Sequence, residues 1–350
     1  MEPDTSHKTG HETACMNVHG TEYEMAHKTE CRMEHGTEGT TAHEMKCEAV
    51  HKKEQRGCRL CPRECGADRA AGKKGFCGVA GTKILAARAG LHMWEEPCIS
   101  GEHGSGTVFF SGCPLRCVYC QNAVIADAAA GMEISQERLA EIFLELQEKG
   151  AANMNLVTPT HYTPEIIRAV QIARAQGLTV PIVYNCGGYE KAETLAMLDG
   201  IVDIYLTDFK YMEPELAGRL SHAQDYPEKA KIALAEMVRQ QGKPVFDAEG
   251  MMQKGVIVRH LLLPNHLKNA KAVVQYVYET YGNQVYLSLM NQYTPLVQVE
   301  KLPELNRKVT KREYERLLDY ALSLGVENAF IQEGETAKES FIPAFDGEGL

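Results

Sequence analysis

Three cysteines packed into eight residues carry the clearest chemistry in this sequence. Cys113, Cys117 and Cys120 have the spacing Cys-x3-Cys-x2-Cys within the stretch from Ser111 to Asn122. Three thiolates in one short loop suit an iron–sulfur cluster, which takes cysteine sulfur as its ligands. A 4Fe–4S cluster has four irons, so three ligands leave one iron open to a cofactor or substrate. The spacing therefore predicts a 4Fe–4S site with one free coordination position.

Two plainer interpretations of this triplet are open at this point. A zinc site is one, although zinc ligands usually come as two distant Cys-x2-Cys arms. Here a single tight triplet has an aromatic residue, Tyr119, directly before its third cysteine. The other interpretation is three small buried thiols that bind nothing. The iron–sulfur interpretation fits the spacing best.

A second group of four cysteines precedes the triplet. Its spacing is Cys-x2-Cys-x3-Cys-x11-Cys, and its members are Cys58, Cys61, Cys65 and Cys77. Four thiols at this spacing match a closed tetrahedral zinc site, and the same count serves a second iron–sulfur cluster. We predict a structural zinc-like or rubredoxin-like metal site, with a second iron–sulfur site as the alternative.

The first 56 residues repeat with a period of sixteen and contain little Leu, Ile or Val. Cysteine recurs at one position of the repeat and histidine at two others: Cys15, Cys31 and Cys47; His19, His35 and His51; His11, His27 and His43. Such residues could bind zinc, nickel or copper. Because the segment has too little apolar surface to offset ordering entropy, we expect a disordered tail without a role in the chemistry.

Strand and helix patterns alternate from residue 107 onward. Short β-branched and aromatic runs predict strands at 107–110, 153–158, 181–185, 201–209, 255–263, 284–290 and 328–332. Helical periodicity predicts helices at 135–150, 164–177, 189–198, 226–241, 266–281 and 310–324. Repeated strand–helix units predict an α/β fold, a partial parallel (β/α)6 barrel with its site at the carboxyl ends of the strands.

These patterns divide the chain into four parts. We assign residues 1–56 to the tail, 57–105 to the four-cysteine metal group and a connector, 106–300 to the partial barrel and 301–350 to a C-terminal helix and strand extension. No apolar run reaches membrane-spanning length, so we expect a cytoplasmic protein without membrane contact. The net charge of −10 argues against nucleic acid as a partner.

Polar residues at the other strand ends are candidates for the same site. The cysteine triplet leaves the first strand of the barrel at its carboxyl end, so these residues should surround it. They are Thr158, Thr160, His161, Asn185, Asp208, Lys210 and Arg259. Cys186 is a further candidate, as a hydrogen donor, although a lone cysteine at a strand end is more often a packing residue.

From about residue 57 onward the sequence resembles the pyruvate formate-lyase activating enzyme-like proteins of the radical S-adenosylmethionine (radical SAM) superfamily, and more narrowly an uncharacterised branch. The matching motifs are Cys-Arg-Leu-Cys-Pro-Arg-Glu-Cys at 58–65, Glu-Glu-Pro at 95–97, the stretch 104–122, Val-Thr-Pro-Thr-His at 157–161 and the ending 332–343. The resemblance implies that Cys113, Cys117 and Cys120 hold the 4Fe–4S cluster and that S-adenosylmethionine occupies its open iron.

The resemblance also implies roles and partners. The reduced cluster would cleave the cofactor to a 5′-deoxyadenosyl radical, with a ferredoxin- or flavodoxin-like electron donor and a protein as one candidate substrate. Tyr119, Asn185, Asp208, Lys210 and Arg259 are the expected cofactor contacts. True activases carry Gly-Gly-Glu after the second strand to hold the cofactor's amino group. This chain has Thr-Pro-Thr-His at 158–161 instead. Thr158, Thr160 or His161 would then bind the cofactor in place of Gly-Gly-Glu.

The predicted function is therefore a radical SAM enzyme, with activation of a glycyl-radical enzyme as one candidate reaction. The first alternative is radical modification of a small molecule or peptide. The second is a non-catalytic iron–sulfur or metal-binding protein, suggested by the extra cysteines. The predicted barrel weighs against this second alternative, because metal storage needs no cavity lined at the strand ends.

Overall fold

Seven parallel strands form the centre of the structure, a computed structural model that describes residues 57–332 and 343–350. They are β2 (Ser105–Phe110), β4 (Met154–Val157), β5 (Ile182–Cys186), β6 (Ile204–Asp208), β8 (Met252–Leu261), β9 (Tyr286–Met290) and β10 (Ala329–Ile331). Along the sheet they follow chain order from β2 to β10. The predicted α/β class with a parallel sheet is confirmed. The prediction for residues 1–56 lies outside the described residues.

Three antiparallel strands extend this sheet. β1 (Ile84–His92) pairs with β2, β3 (Met132–Ile134) pairs with β1, and the short β7 (Val245–Phe246) pairs with β8. The sequence analysis treated residues 80–105 as a connector, and β1 corrects this. Its sequence Ile-Leu-Ala-Ala-Arg-Ala-Gly-Leu-His has few β-branched residues, so long-range pairing and not local preference makes it a strand.

The C-terminal residues pack on this added strand. The amide of Ala89 donates to the carbonyl of Glu348 at 2.9 Å, and Gly347 donates to the carbonyl of Ala87 at 3.1 Å. Arg88 adds an ion pair with Asp346 at 3.2 Å. The last residues of the chain thus lie at the β1 side of the sheet, although β10 lies at the opposite end.

Helices connect the strands. They are α1 (Pro97–Ser100), α2 (Ala123–Ala126), α3 (Gln136–Glu148), α4 (Thr163–Ala175), α5 (Ala192–Ala196), α6 (Pro214–Ser221), α7 (Tyr226–Gln241), α8 (Leu267–Tyr281) and α9 (Lys311–Leu324). The helix predicted at 189–198 is shorter, and α6 was not predicted. Ser135 caps α3 by accepting a hydrogen bond from the Arg138 amide at 3.1 Å. No helix within the two described ranges is long and apolar enough to cross a lipid bilayer.

The core lies between the parallel sheet and the apolar faces of the helices. Every residue of β2 and β5 is buried, as expected for parallel strands covered on both faces. From α3, Leu139, Ile142 and Phe143 are buried in the same core. Such packing fixes the strand positions, so the loops that follow the carboxyl ends of the strands have a rigid base.

Candidate active site

The three-cysteine loop begins directly after β2. Its entry is fixed by backbone hydrogen bonds, from Ser111 to the carbonyl of Leu85 at 2.8 Å and from Gly112 to the carbonyl of Ile125 at 2.7 Å. Cys113, Cys117 and Cys120 follow, all partly buried. The loop therefore lies at the carboxyl end of a central parallel strand, where the sequence analysis placed it.

Burial disfavours a bare thiolate at two of these cysteines. Burial raises the pKa of the Cys113 thiol to about 11 and of the Cys120 thiol to about 12, and the Cys117 sulfur adds to both shifts. A bare thiolate is costly in such surroundings, whereas a coordinating metal deprotonates a thiol outright. The three sulfurs are thus close enough to influence one another and need a positive partner to ionise.

The donor set of the loop is compatible with an iron–sulfur cluster. Cys113, Cys117 and Cys120 are three thiols on one short loop, and thiolates are the ligands that such clusters take from a protein. Among the described residues, no group of three or more His, Cys, Asp or Glu side chains is arranged to hold a metal ion. The 4Fe–4S cluster at this loop stays a prediction.

A cavity of about 250 Å³ opens beside the loop. Cys117, Tyr119 and Cys120 line it on the loop side. Strand-end residues line the rest: His92 of β1, Phe109 of β2, Val157 of β4, Asn185 of β5, Asp208 of β6 and Arg259 of β8. Because strands as distant as β1 and β9 contribute to one cavity, the sheet curves around it, as a partial barrel does.

Arg259 organises the polar side of this cavity. Its Nε donates to Asp208 Oδ1 at 3.0 Å, its Nη1 to Glu95 Oε2 at 3.2 Å and its Nη2 to Asn185 Oδ1 at 2.5 Å. Lys210 completes the network with a 2.5 Å contact from its Nζ to Asp208 Oδ2. We call these five residues the polar floor. Asn185, Asp208, Lys210 and Arg259 thus meet in one network, as the strand-end argument predicts.

The charges of the polar floor stabilise one another. Burial opposes ionisation of Asp208, but the Lys210 ammonium and the Arg259 guanidinium outweigh it and hold the pKa of Asp208 below its ordinary value. Burial likewise opposes the charge of Arg259, while Asp208 and Glu95 raise its pKa above the ordinary value. The floor therefore presents fixed carboxylates and fixed cations to whatever occupies the cavity.

The Thr-Pro-Thr-His segment that follows β4 turns away from the cavity. Thr158 has a φ of 59°, and a 3₁₀ turn over Thr160–Tyr162 follows it. The Thr160 hydroxyl donates to Glu190 Oε1 at 2.7 Å, and His161 Nε2 lies 2.8 Å from the carbonyl of Ser111. Thr158, Thr160 and His161 do not line the cavity. Their predicted contact with the cofactor therefore stays a prediction.

The polar atoms of two other predicted residues contact neighbouring side chains of the protein. Cys186 is buried, and its sulfur lies 3.4 Å from the hydroxyl of Thr207, which favours the packing interpretation. Tyr119 lines the cavity with its ring, but its hydroxyl is 2.7 Å from the Tyr211 hydroxyl. Its contact with a cofactor would therefore be through the ring.

Sequence reasoning missed the contribution of β1 and its following loop. His92, Trp94 and Glu95 line the cavity, and the carboxylate of Glu95 accepts from Asn155 Nδ2 at 2.8 Å as well as from Arg259. They were not predicted to line the site because β1 itself was not predicted. The Glu-Glu-Pro motif at 95–97 is the sequence feature that could have indicated them.

The four-cysteine group packs against the back of the three-cysteine loop. Gly112, directly before Cys113, has a φ of +92°, and a β-carbon there would lie 2.9 Å from the carbonyl oxygen of Cys77. Arg63 of the four-cysteine segment contacts the loop and the end of α6. Its Nε donates to the carbonyl of Pro114 at 2.8 Å, and its Nη2 donates to the carbonyl of Ser221 at 3.1 Å. The two cysteine groups are thus neighbours, separated by backbone and by one guanidinium.

The thiols of the four-cysteine group are close together. A β-carbon on Gly75 would lie 3.1 Å from the sulfur of Cys65 and 3.5 Å from that of Cys77. Burial raises the pKa of Cys61 to about 12, and the sulfurs of Cys77 and Cys58 add to the shift. The four are not gathered around one point. The metal predicted for them, zinc or iron–sulfur, stays a prediction.

Comparison with known proteins agrees with this geometry. Residues 107–265 match the profile that describes the Radical SAM superfamily. The uncharacterized protein MJ0674 of Methanocaldococcus jannaschii is 28% identical over 274 residues, which cover 76% of this chain and 74% of that protein. The pyruvate formate-lyase-activating enzyme of Listeria monocytogenes is 26% identical over 167 residues, covering 45% of this chain and 61% of the enzyme.

Among solved structures, this chain is similar to Streptococcus suis SuiB bound to S-adenosylmethionine. The identity is 13% and the TM-score is 0.43, over 63% of this chain and 48% of the SuiB chain. The profile match begins in β2 and ends after β8, so it contains the three-cysteine loop and most of the polar floor. The superfamily consists of enzymes and implies a 4Fe–4S cluster with S-adenosylmethionine. The profile match shows a Radical SAM family-model domain at residues 107–265 of this chain.

Proposed function

We propose that this chain is a radical SAM enzyme that uses Cys113, Cys117 and Cys120 to hold a 4Fe–4S cluster. The observation that carries the proposal is the position of these three cysteines. They lie in the loop that follows β2, and two of them, Cys117 and Cys120, line a cavity whose other side is the polar floor. Structural zinc sites and purely structural cysteines have no need of such a cavity.

The cluster would leave one iron open toward the cavity, and S-adenosylmethionine would bind there. When bound, the two cofactors supply the chemistry, which is reductive cleavage to a 5′-deoxyadenosyl radical that abstracts a hydrogen atom from a substrate. A ferredoxin- or flavodoxin-like protein is the proposed electron donor.

The polar floor would orient the cofactor. The carboxylates of Glu95 and Asp208 suit an ammonium group or ribose hydroxyls, and the cations of Lys210 and Arg259 suit a carboxylate. Since Arg259 bonds to three partners at once, its guanidinium has a fixed direction before any ligand arrives. Fixed groups of this kind bind a ligand at a lower ordering cost than mobile ones.

The rings beside the cavity would exclude water from the reacting atoms. Tyr119 packs edge-on against Tyr293 with ring centroids 6.2 Å apart, and both rings line the cavity. Phe109 lines it from β2 and contacts Phe345 of the C-terminal segment. An apolar wall protects a radical from quenching by solvent, while the polar floor fixes the orientation of the bound molecule.

A glycyl-radical protein is one candidate substrate, and a small molecule or peptide is the other. The 26% identity with pyruvate formate-lyase-activating enzymes over 167 residues favours the first. Purified pyruvate formate-lyase is the probe for it. Incubation with the reduced enzyme and S-adenosylmethionine should give a protein-centred radical in electron paramagnetic resonance (EPR) spectra. A spectrum without that radical would leave the second candidate as the proposed substrate class.

The proposal is tested by anaerobic reconstitution with iron and sulfide. The full chain should then show 4Fe–4S absorption and, once reduced, convert S-adenosylmethionine to 5′-deoxyadenosine and methionine. Replacing Cys113, Cys117 and Cys120 together by alanine should abolish both properties. Cys98→Ala is the matched control, because Cys98 is also a buried thiol but packs in a separate part of the core. Turnover by the triple variant would refute the proposal.

A further inference from the structure

The hydroxyl of Ser221 makes the nearest polar contact to a sulfur of the three-cysteine loop. Ser221 is the last residue of α6 and is fully buried, and its Oγ donates to Cys117 Sγ at 2.9 Å. The backbone next to this contact is also paired, since the Val118 amide donates to the carbonyl of Leu220 at 2.9 Å. The end of α6 therefore holds the middle of the loop by two adjacent hydrogen bonds.

Two tyrosines extend this contact into a chain of hydroxyls. Ser221 Oγ lies 2.6 Å from the Tyr211 hydroxyl, which lies 2.7 Å from the Tyr119 hydroxyl. All three groups are buried. A metal-bound thiolate can accept a hydrogen bond but cannot donate one. Once Cys117 is a ligand, Ser221 must donate to it, Tyr211 must donate to Ser221 and Tyr119 must donate to Tyr211.

Arg63 fixes both ends of the Ser221 contact. Its Nη2 donates to the carbonyl of Ser221, its Nη1 donates to the carbonyl of His222, and its Nε donates to Pro114 within the loop. The guanidinium also stacks on Phe76, 4.0 Å from the ring centroid. Arg63 therefore joins the backbone of the loop at Pro114 to the end of α6 at Ser221.

We propose that Ser221 is a positioning residue that raises the reduction potential of the cluster through Cys117. This inference rests on the proposed function, because it requires Cys117 to be a cluster ligand. Reduction adds negative charge to a cluster, and a donor aimed at a ligand sulfur stabilises the more negative state. Hydrogen bonds to sulfur are among the features that set iron–sulfur potentials. The buried hydroxyl chain strengthens the last donor, since each member polarises the next.

The test is the midpoint potential of the cluster in the full chain, followed by EPR during an anaerobic redox titration. Ser221→Ala removes the donor and should lower the ratio of reduced to oxidised cluster about tenfold at a given potential. For a one-electron couple this is a shift of about 59 mV to more negative values. Ser221→Thr keeps a hydroxyl at the same position and should keep the wild-type potential.

Tyr211→Phe provides a second, milder variant. It leaves Ser221 in place but removes the hydroxyl that polarises it, so the potential should shift in the same direction by a smaller amount. Ser105→Ala is the matched control. Ser105 is also a fully buried serine with one side-chain hydrogen bond, to Asn153 Oδ1 at 2.5 Å, but it begins β2 and the cysteine loop follows the other end of that strand. Its potential should equal that of the wild type.

The outcomes separate this inference from the proposed function. A wild-type chain that assembles no 4Fe–4S cluster contradicts the proposed function. A cluster whose potential is the same in the wild type and in Ser221→Ala overturns the role of Ser221 while the proposed function stands. If Ser221→Ala does not keep its cluster, Tyr211→Phe decides: a negative shift supports the inference, and an unchanged potential refutes it.

Discussion

Two groups of cysteines lie side by side in this protein, and their surroundings differ. The three-cysteine loop follows a central parallel strand, borders a cavity and has a hydroxyl donor on Cys117. The four-cysteine group lies behind it, in turns closed by backbone bonds such as that from Cys58 to Ala67 at 2.9 Å. None of its cysteines lines the cavity. Cys117 and Cys120 of the loop therefore face the cavity, and the four-cysteine group packs behind the loop.

This difference shows that residue type does not decide function here. Both groups contain thiols at metal-ligand spacing, and burial raises the pKa of a member of each, Cys113 and Cys61. What distinguishes them is the neighbouring element. The loop faces the polar floor, which is built from β5, β6 and β8 and from the loops that follow β1 and β6. The other group contacts the barrel through Arg63 and Arg69. The predictions below test this division of roles.

The largest expected effect comes from removing one group while keeping the other. The variant with alanine at positions 113, 117 and 120 should lose all cofactor cleavage and yet retain one tightly bound metal on Cys58, Cys61, Cys65 and Cys77. Elemental analysis after gel filtration measures that metal. Finding neither zinc nor iron would contradict the metal prediction for the four-cysteine group. That group would then contribute only its packing against the loop.

The second effect concerns the polar floor. Arg259→Lys keeps the positive charge but cannot hold Asp208, Glu95 and Asn185 together, since an ammonium lacks the planar fork of a guanidinium. We expect at least about a tenfold loss of S-adenosylmethionine affinity, roughly 1.4 kcal/mol, with the metal content of both cysteine groups unchanged. Isothermal titration of the reconstituted protein measures it.

Arg239→Lys is the control for this substitution. Arg239 is an exposed arginine of α7 that bonds to Glu236 and Asp199 and does not line the cavity. Its replacement should leave the affinity unchanged. Equal affinity in Arg259→Lys and the wild type would show that the polar floor does not contact the cofactor.

The sequence predicted the centre of the site better than its borders. Cys117, Asn185, Asp208 and Arg259 line one cavity, as expected, because the carboxyl ends of parallel strands meet at one edge of the sheet. Glu95 was missed because the alanine-rich strand before it forms by pairing with β2 and has no strong local preference.

Thr160 does not line the cavity for a different reason, and its predicted cofactor contact stays a prediction. The sequence extended the second barrel strand to residue 158, whereas β4 ends at Val157. Thr158 then takes a positive φ, which redirects the chain and buries the next side chains against Glu190. A single left-handed residue is set by the packing around it, so the spacing of the sequence could not reveal it.

A smaller effect should follow from loosening the contact between the two cysteine groups. Arg63→Lys removes the hydrogen bonds that join the four-cysteine segment to Pro114 and Ser221 and leaves at most one of them. Each hydrogen bond lost from a charged group lowers the free energy of unfolding by at most about 1.5–3 kcal/mol, and by less at a half-buried site. We expect several-fold faster alkylation of the buried Cys61 in the metal-free native protein, measured by mass spectrometry.

Arg59→Lys is the matched control for that experiment. Arg59 lies in the same segment between Cys58 and Leu60 and is exposed. Its replacement should not change the alkylation rate of Cys61. The same rate in Arg63→Lys as in the wild type would mean that the segment is held by other contacts, such as the hydrogen bond from Arg69 to the carbonyl of His161 at 2.6 Å.

A pH-dependent effect concerns Glu190, a buried carboxyl close to Cys61 of the four-cysteine group. It accepts a hydrogen bond from Thr160, lies 3.4 Å from the Tyr184 hydroxyl and is close enough to raise the pKa of Cys61. Burial raises the pKa of Glu190 itself to about 8 from an ordinary 4.5, and the hydrogen bonds from Thr160 and Tyr184 only partly oppose this. The folded protein therefore keeps this carboxyl protonated at neutral pH.

Stability should then depend on pH through this one group. Between pH 4.5 and 8 the folded state holds a proton that the unfolded state has lost, so the free energy of unfolding falls as pH rises, by up to about 1.4 kcal/mol per pH unit. Glu190→Gln is neutral at every pH and has nearly the same shape. Relative to the wild type it should become more stable as pH rises from 5.5 to 8, in urea unfolding of the metal-free chain. The buried His161 and His260 have pKa values that burial lowers to about 4. They titrate in both proteins, so their contributions cancel in the difference between the two unfolding free energies.

If that difference stays constant from pH 5.5 to 8, Glu190 is ionised in the folded protein.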